Sequence, residues 1–122
     1  MNPIITFNLY RSTVYINTAC LREFTNLEYA QFLISAPEKQ LKLRLCGENN
    51  RDSVRLRSAG NNRFAPRHIR CYNEFLNELV LLTKWNQKCR YKLIGCVEIN
   101  GDETNLVFNL NLAEEIILHE KT

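Results

Sequence analysis

The segments Thr13-Val14-Tyr15-Ile16-Asn17-Thr18-Ala19-Cys20-Leu21-Arg22, Tyr29-Ala30-Gln31-Phe32-Leu33-Ile34 and Gln40-Leu41-Lys42-Leu43-Arg44-Leu45 decide the fold. The last alternates Leu with a polar or charged residue at every step, as a strand with one buried and one wet face must. Ser35-Ala36-Pro37-Glu38-Lys39 supplies a turn, so 29–45 reads as a hairpin. Upstream, Asn17 or Thr18 can cap a short helix in which Cys20, Leu21 and Phe24 share one face. From Ile4 to Ile16 a period of two is interrupted near Arg11-Ser12, which predicts two short strands or one bulged strand.

The second half repeats this layout. Val54-Arg55-Leu56-Arg57 alternates, Ser58-Ala59-Gly60-Asn61-Asn62 is a turn cluster, and Arg67 to Cys71 is a further short strand. Phe75, Leu76, Leu79 and Leu82 form the apolar stripe of an amphipathic helix that ends near Trp85, with Asn73 as its candidate cap. Cys89 to Ile99, the turn Asn100-Gly101-Asp102 and Asn105 to Leu110 read as a second hairpin. The tail from Leu112 to His119 fits a last helical turn or a closing strand. The letters of the halves barely match, so the likeness is one of layout.

A chain of 122 residues, 45% apolar and 24% charged, has the size and composition of one folded domain. The expectation is a single domain, 1–122, with half-units at 1–48 and 49–122. The fold class expected is α+β: a small strand-dominated barrel built from two strand-helix-hairpin units, each half supplying strands that the other lacks. Five cysteines, at 20, 46, 71, 89 and 96, form no C-x-x-C pair, which points to reduced thiols in a core and a cytoplasmic location. No stretch approaches the length of a membrane span, so no membrane partner is expected, and the chain reads as a monomer or homodimer.

Net charge is only +3, yet it is polarised. Residues 51–70 carry six arginines against Asp52, whereas 98–120 carry six acids and no Lys or Arg. Guanidinium groups bind phosphates bidentately and release counterions, so Arg55, Arg57, Arg63, Arg67 and Arg70 are the candidate nucleic-acid-binding residues. Lys42 and Arg44 join them if the two hairpins lie side by side. The bland alternative is that these cations solvate exposed strands or pair with the acids of 98–120.

Residues 13–45 resemble the AbrB and MraZ swapped-hairpin DNA-binding modules. In those a strand leads into an L-R-x-x-L helix and then a hairpin with an acidic or lysine-containing turn, much as Leu21-Arg22 precedes the turn at Pro37-Glu38-Lys39; the likeness is weaker over 67–110. Tyr15-Ile16-Asn17 stands where that family has Val-Ile-Pro. The resemblance implies an internal pseudo-dimer and a role in DNA binding, including transcriptional regulation.

Catalysis finds little to work with. His68 and Cys71 are the only close histidine–cysteine pair, and their odd separation sends them to opposite sides of a strand. Two histidines and no paired cysteines argue against a metal centre, and four glycines form no phosphate loop. Glu74 and Glu78 read as the wet face of a helix. The expectation is a small DNA-binding protein without cofactor or catalytic site. The alternative is a protein-interaction or inhibitor module of a phage or mobile element, whose partner is a protein.

Overall fold

The computed structural model describes residues 2–23, 29–45, 53–55 and 66–117. In chain order the elements are β1 (Ile4–Asn8), β2 (Thr13–Ile16), α1 (Thr18–Arg22), β3 (Tyr29–Ser35), β4 (Gln40–Leu45) and β5 (Ser53–Arg55). Then follow β6 (Arg67–Arg70), α2 (Asn73–Thr83), β7 (Cys89–Asn100), β8 (Glu103–Asn109), a 3-10 turn at Leu110–Leu112 and β9 (Glu114–Ile117). Both expected strand-helix-hairpin runs are present, as β2-α1-β3-β4 and β6-α2-β7-β8. The interrupted alternation near Arg11 resolves as two strands, and the undecided tail as a strand.

Among the described residues nine strands form one antiparallel sheet in the order β5-β3-β4-β8-β7-β1-β2-β6, with β9 paired to β7. Exchanging β1–β4 with β5–β8 reproduces every neighbour pair in this order except β1–β2, whose counterpart would join β5 to β6 and close the ring. Thus β1 of the first half pairs with β7 of the second, and β5 of the second pairs with β3 of the first.

The sheet curls into a half-barrel, as the aromatic core requires. Phe7 on β1 and Phe32 on β3 are four strand steps apart, about 19 Å in a flat sheet at ~4.8 Å per step, yet their ring centroids lie 5.8 Å apart. Phe75 of α2 lies 5.4 Å from Phe32 and 6.1 Å from Phe7, so α2 packs inside the curl. Ile5, Val14, Ile16, Leu41, Leu43, Leu93, Leu106 and Phe108 complete the inner face.

β7 is the hinge of the curl. Its residues 90–94 pair with β1, and pairing with β8 begins at Gly95. A Cβ on Gly95 would sit 2.5 Å from the Phe108 ring, so only glycine lets that ring close over the strand. The Gly95 N–H donates to the Pro3 carbonyl at 2.8 Å. The β7–β8 loop is Gly101-Asp102 with Gly101 at φ 60°, the backbone a tight hairpin loop demands.

Asn17 holds the first unit together. Its Oδ1 accepts from Cys20 N, capping α1, and from Ile4 N, both at 3.0 Å, while its Nδ2 donates to the Asn2 carbonyl. The expected cap of α2 is displaced by one residue: Asn73 opens the helix and Tyr72 is the cap, without a side-chain bond. At the other end Lys84 adopts φ 62° and Trp85 stacks on Tyr91, centroids 4.4 Å apart and planes 7° apart. The Tyr91 hydroxyl donates to Glu115 Oε2 at 2.7 Å, fastening β9 to the body. Among the described residues no helix is long and apolar enough to cross a membrane.

Candidate nucleic-acid interface

Strand alternation decides which side chains leave the barrel. On β1, Ile5 and Phe7 are buried and Thr6 and Asn8 face out; on β2, Val14 and Ile16 point in and Thr13 and Tyr15 out. On β7, Tyr91 and Leu93 are inward, so Arg90 and Lys92 are outward. On β6, His68 and Arg70 are exposed and Arg67, only 9% exposed, lies on the inward side opposite Ile16.

The registers line these outward residues into two rows across four strands. One runs His68, Tyr15, Thr6, Lys92, and the other Arg70, Thr13, Asn8, Arg90. Strands lie ~4.8 Å apart and same-face residues ~6.7 Å apart along a strand, so Arg70 and Arg90 span about 14 Å and Lys92 sits one step beside Arg90. Among the described residues no carboxylate lies within 4.0 Å of Arg70, Arg90 or Lys92. The Tyr15 and His68 rings meet at 4.9 Å with planes 51° apart, forming an aromatic step between the cations. Arg11, exposed in the β1–β2 turn, and Lys88, exposed just before β7, extend the positive charge at one end.

The outer face over β4, β8 and the far half of β7 is chemically opposite. Lys42 Nζ lies 3.3 Å from Glu98 Oε1, and Arg44 Nη1 lies 3.7 Å from Glu103 Oε1. Arg44 also donates twice to Gln31 Oε1, at 3.1 and 3.2 Å. The hairpins do lie side by side, with Lys42 opposite Val107 and Arg44 opposite Asn105, but that adjacency brings acids of the second hairpin onto the cations of the first.

The residues expected to bind nucleic acid therefore disperse. Arg70 stands on the open face. Arg67, three residues away, points to the other side, with its guanidinium proton affinity lowered by burial. Lys42 and Arg44 are ion-paired. Arg55 pairs through its backbone with Tyr29, and Arg57 and Arg63 lie outside the described residues. Arg90, Lys92, Tyr15 and Asn8 were not anticipated. Arg90-Tyr91-Lys92 has the same cation-apolar-cation alternation as Lys42-Leu43-Arg44, and that was the signal available.

α2 divides two further surfaces. On one flank Glu74 and Glu78 border a groove of about 320 Å³ against Gln31 to Ile34 of β3. On the other a recess of about 110 Å³ lies between the helix and the β1–β2 turn. Cys20, Cys71 and Cys89 are buried, and burial pushes the thiols of Cys20 and Cys71 up to about 12. Among the described residues no group of three or more His, Cys, Asp or Glu side chains gathers to hold a metal ion. No family model, curated protein or solved structure matches the chain.

Proposed function

We propose that the chain is a small nucleic-acid-binding protein that docks through the outer face of β6, β2, β1 and β7. The observation that carries this reading is the set of three cations, Arg70, Arg90 and Lys92, that share one face without a carboxylate partner among the described residues. An unpaired cation keeps its capacity to displace counterions from a phosphate chain, whereas a paired one must first lose its partner. Tyr15 and His68 add ring surface on which a base can stack.

The finer reading is a pseudo-dimeric swapped-hairpin module acting as a DNA-binding transcriptional regulator. It is supported by a strand order in which exchanging the halves reproduces every neighbour pair but one, and by the strands each half contributes to the other.

A salt titration tests the docking reading. Labelled DNA followed by fluorescence anisotropy should bind with log affinity falling linearly in log salt, at roughly 0.7–0.9 per phosphate contact. Absence of binding at low salt ends it. The second reading, a protein-interaction or inhibitor module, draws on β9: among the described residues its outer edge carries no strand, and Leu112 just before it and Ile117 at its end are exposed. Recovery of one stoichiometric protein partner without retained DNA would select that reading.

A further inference from the structure

We propose that the recess between α2 and the β1–β2 turn is a subsite for one unpaired pyrimidine base, so that the nucleic acid bound is single-stranded; this rests on the docking face described above. Asn73 and Asn77, one helical turn apart, line the recess together with Gln87 and Ser12, and Leu9 and Leu76 form its apolar walls. Among the described residues the three amide groups make no hydrogen bond of their own. Each amide offers a donor and an acceptor, the combination that meets the alternating carbonyl and N–H groups of a pyrimidine edge. No carboxylate lines this recess, in contrast to the groove on the other flank of the helix.

Size selects the ligand. Pockets for drug-sized molecules run to about 300–1,000 Å³, whereas a cavity of about 150 Å³ accommodates one benzene ring. A recess of about 110 Å³, open at its mouth, is nearer in size to one six-membered ring than to the fused pair of a purine. A duplex keeps its bases stacked, so only an unpaired or extruded base can enter.

The recess also adjoins the Arg70 end of the outer face. Cys71 N donates to the Ser12 carbonyl at 2.8 Å, so Arg70 adjoins the rim, and Arg11 and Lys88 are the chain neighbours of Ser12 and Gln87. Ser12 itself is held at φ 56°. A backbone crossing the Arg70–Thr13–Asn8–Arg90 row thus passes two more exposed cations, Arg11 and Lys88, at this end, with a base free to turn inward.

Competition anisotropy at fixed salt with oligo-dT, oligo-U, oligo-dA and a duplex tests the subsite. The wild-type chain should prefer the pyrimidine single strands over oligo-dA and duplex by roughly tenfold or more. The dT and U arms report whether deoxyribose or ribose is favoured. Asn77→Leu with Gln87→Met, which keeps the shape and removes two of the three amides, should cut that preference at least severalfold while leaving the salt slope intact; an unfolding midpoint confirms that the variant is folded. Equal wild-type affinity for all four ligands, or a variant that keeps the preference, overturns the subsite and leaves the docking face standing. Absence of wild-type binding to any of them removes both.

Discussion

Lys42-Leu43-Arg44 and Arg90-Tyr91-Lys92 are the same pattern on the same kind of strand, and they meet opposite fates. Both place two cations on the outer face of the sheet with a buried apolar residue between them. Lys42 and Arg44 sit within reach of Glu98 and Glu103 on the neighbouring hairpin. Arg90 and Lys92 have Asn8 and Thr6 of β1 on one side and Ile116 and Glu114 of β9 on the other, with no ion pair formed among the described residues. A basic dipeptide pattern is therefore uninformative until its strand neighbours are known. One arrangement is a neutralised surface with little Coulombic reach in water; the other leaves its cations without an ion pair among the described residues.

The difference can be broken most forcefully by removing the open cations. Arg70→Ala, Arg90→Ala and Lys92→Ala combined should lower the salt slope of nucleic-acid binding by about 2–3, at roughly 0.7–0.9 per cation. Lys42→Ala with Arg44→Ala should leave the slope nearly unchanged in the same anisotropy titration. If the two sets behave alike, pairing does not decide availability. The converse sharpens the contrast: Glu98→Gln with Glu103→Gln frees Lys42 and Arg44 and should raise the slope by up to about 1–2.

Next in size are effects on the frame behind the open face. Asn17→Ala removes the cap of α1 and leaves Ile4 N without its acceptor, a loss of about 2 kcal/mol in a urea titration. Alkaline pH acts at the same place through Cys20 and Cys71, which follow β2 and β6. Their pKa values rise from 9.0 to about 12 because burial penalises the thiolate. The folded state then holds the proton more tightly than the unfolded chain. The associated stability is complete below pH 9 and declines between pH 9 and 12, at up to about 1.4 kcal/mol per pH unit for each thiol. Cys71→Ala should flatten that decline in unfolding curves taken across the window.

The smallest effect belongs to the paired face. A double-mutant cycle on Lys42 and Glu98, using Lys42→Met and Glu98→Gln, should return a coupling under about 1 kcal/mol, since both side chains are a third or more exposed. A larger value would mean that the pair organises the β4–β8–β7 surface and does more than neutralise it.

Local rules determined the elements. Alternation in 40–45 and 89–99, the Asn100-Gly101 turn, the Asn17 cap and the apolar stripe of 75–82 each follow from side-chain period or from a single backbone requirement. They needed no partner to be legible, and the two strand-helix-hairpin units were readable for that reason. Even here a margin was lost: the cap of α2 fell at Tyr72 and not Asn73, because no side-chain hydrogen bond marks that boundary.

The surface was a matter for tertiary structure. Which cations stay unpaired depends on strand order and register, and these bring Arg70 beside Thr13 and Asn8 beside Arg90 across large separations in the chain. The arginine-rich run around 51–70 stood out as composition, yet Arg67 turned inward, because strand alternation sends residues three apart to opposite faces. Arg90 and Lys92 belonged to no charged run, and only the pairing of β7 with β1 set them on the same face as Arg70. Side-chain period is a property of neighbouring residues, whereas electrostatic environment is a property of residues brought together by folding.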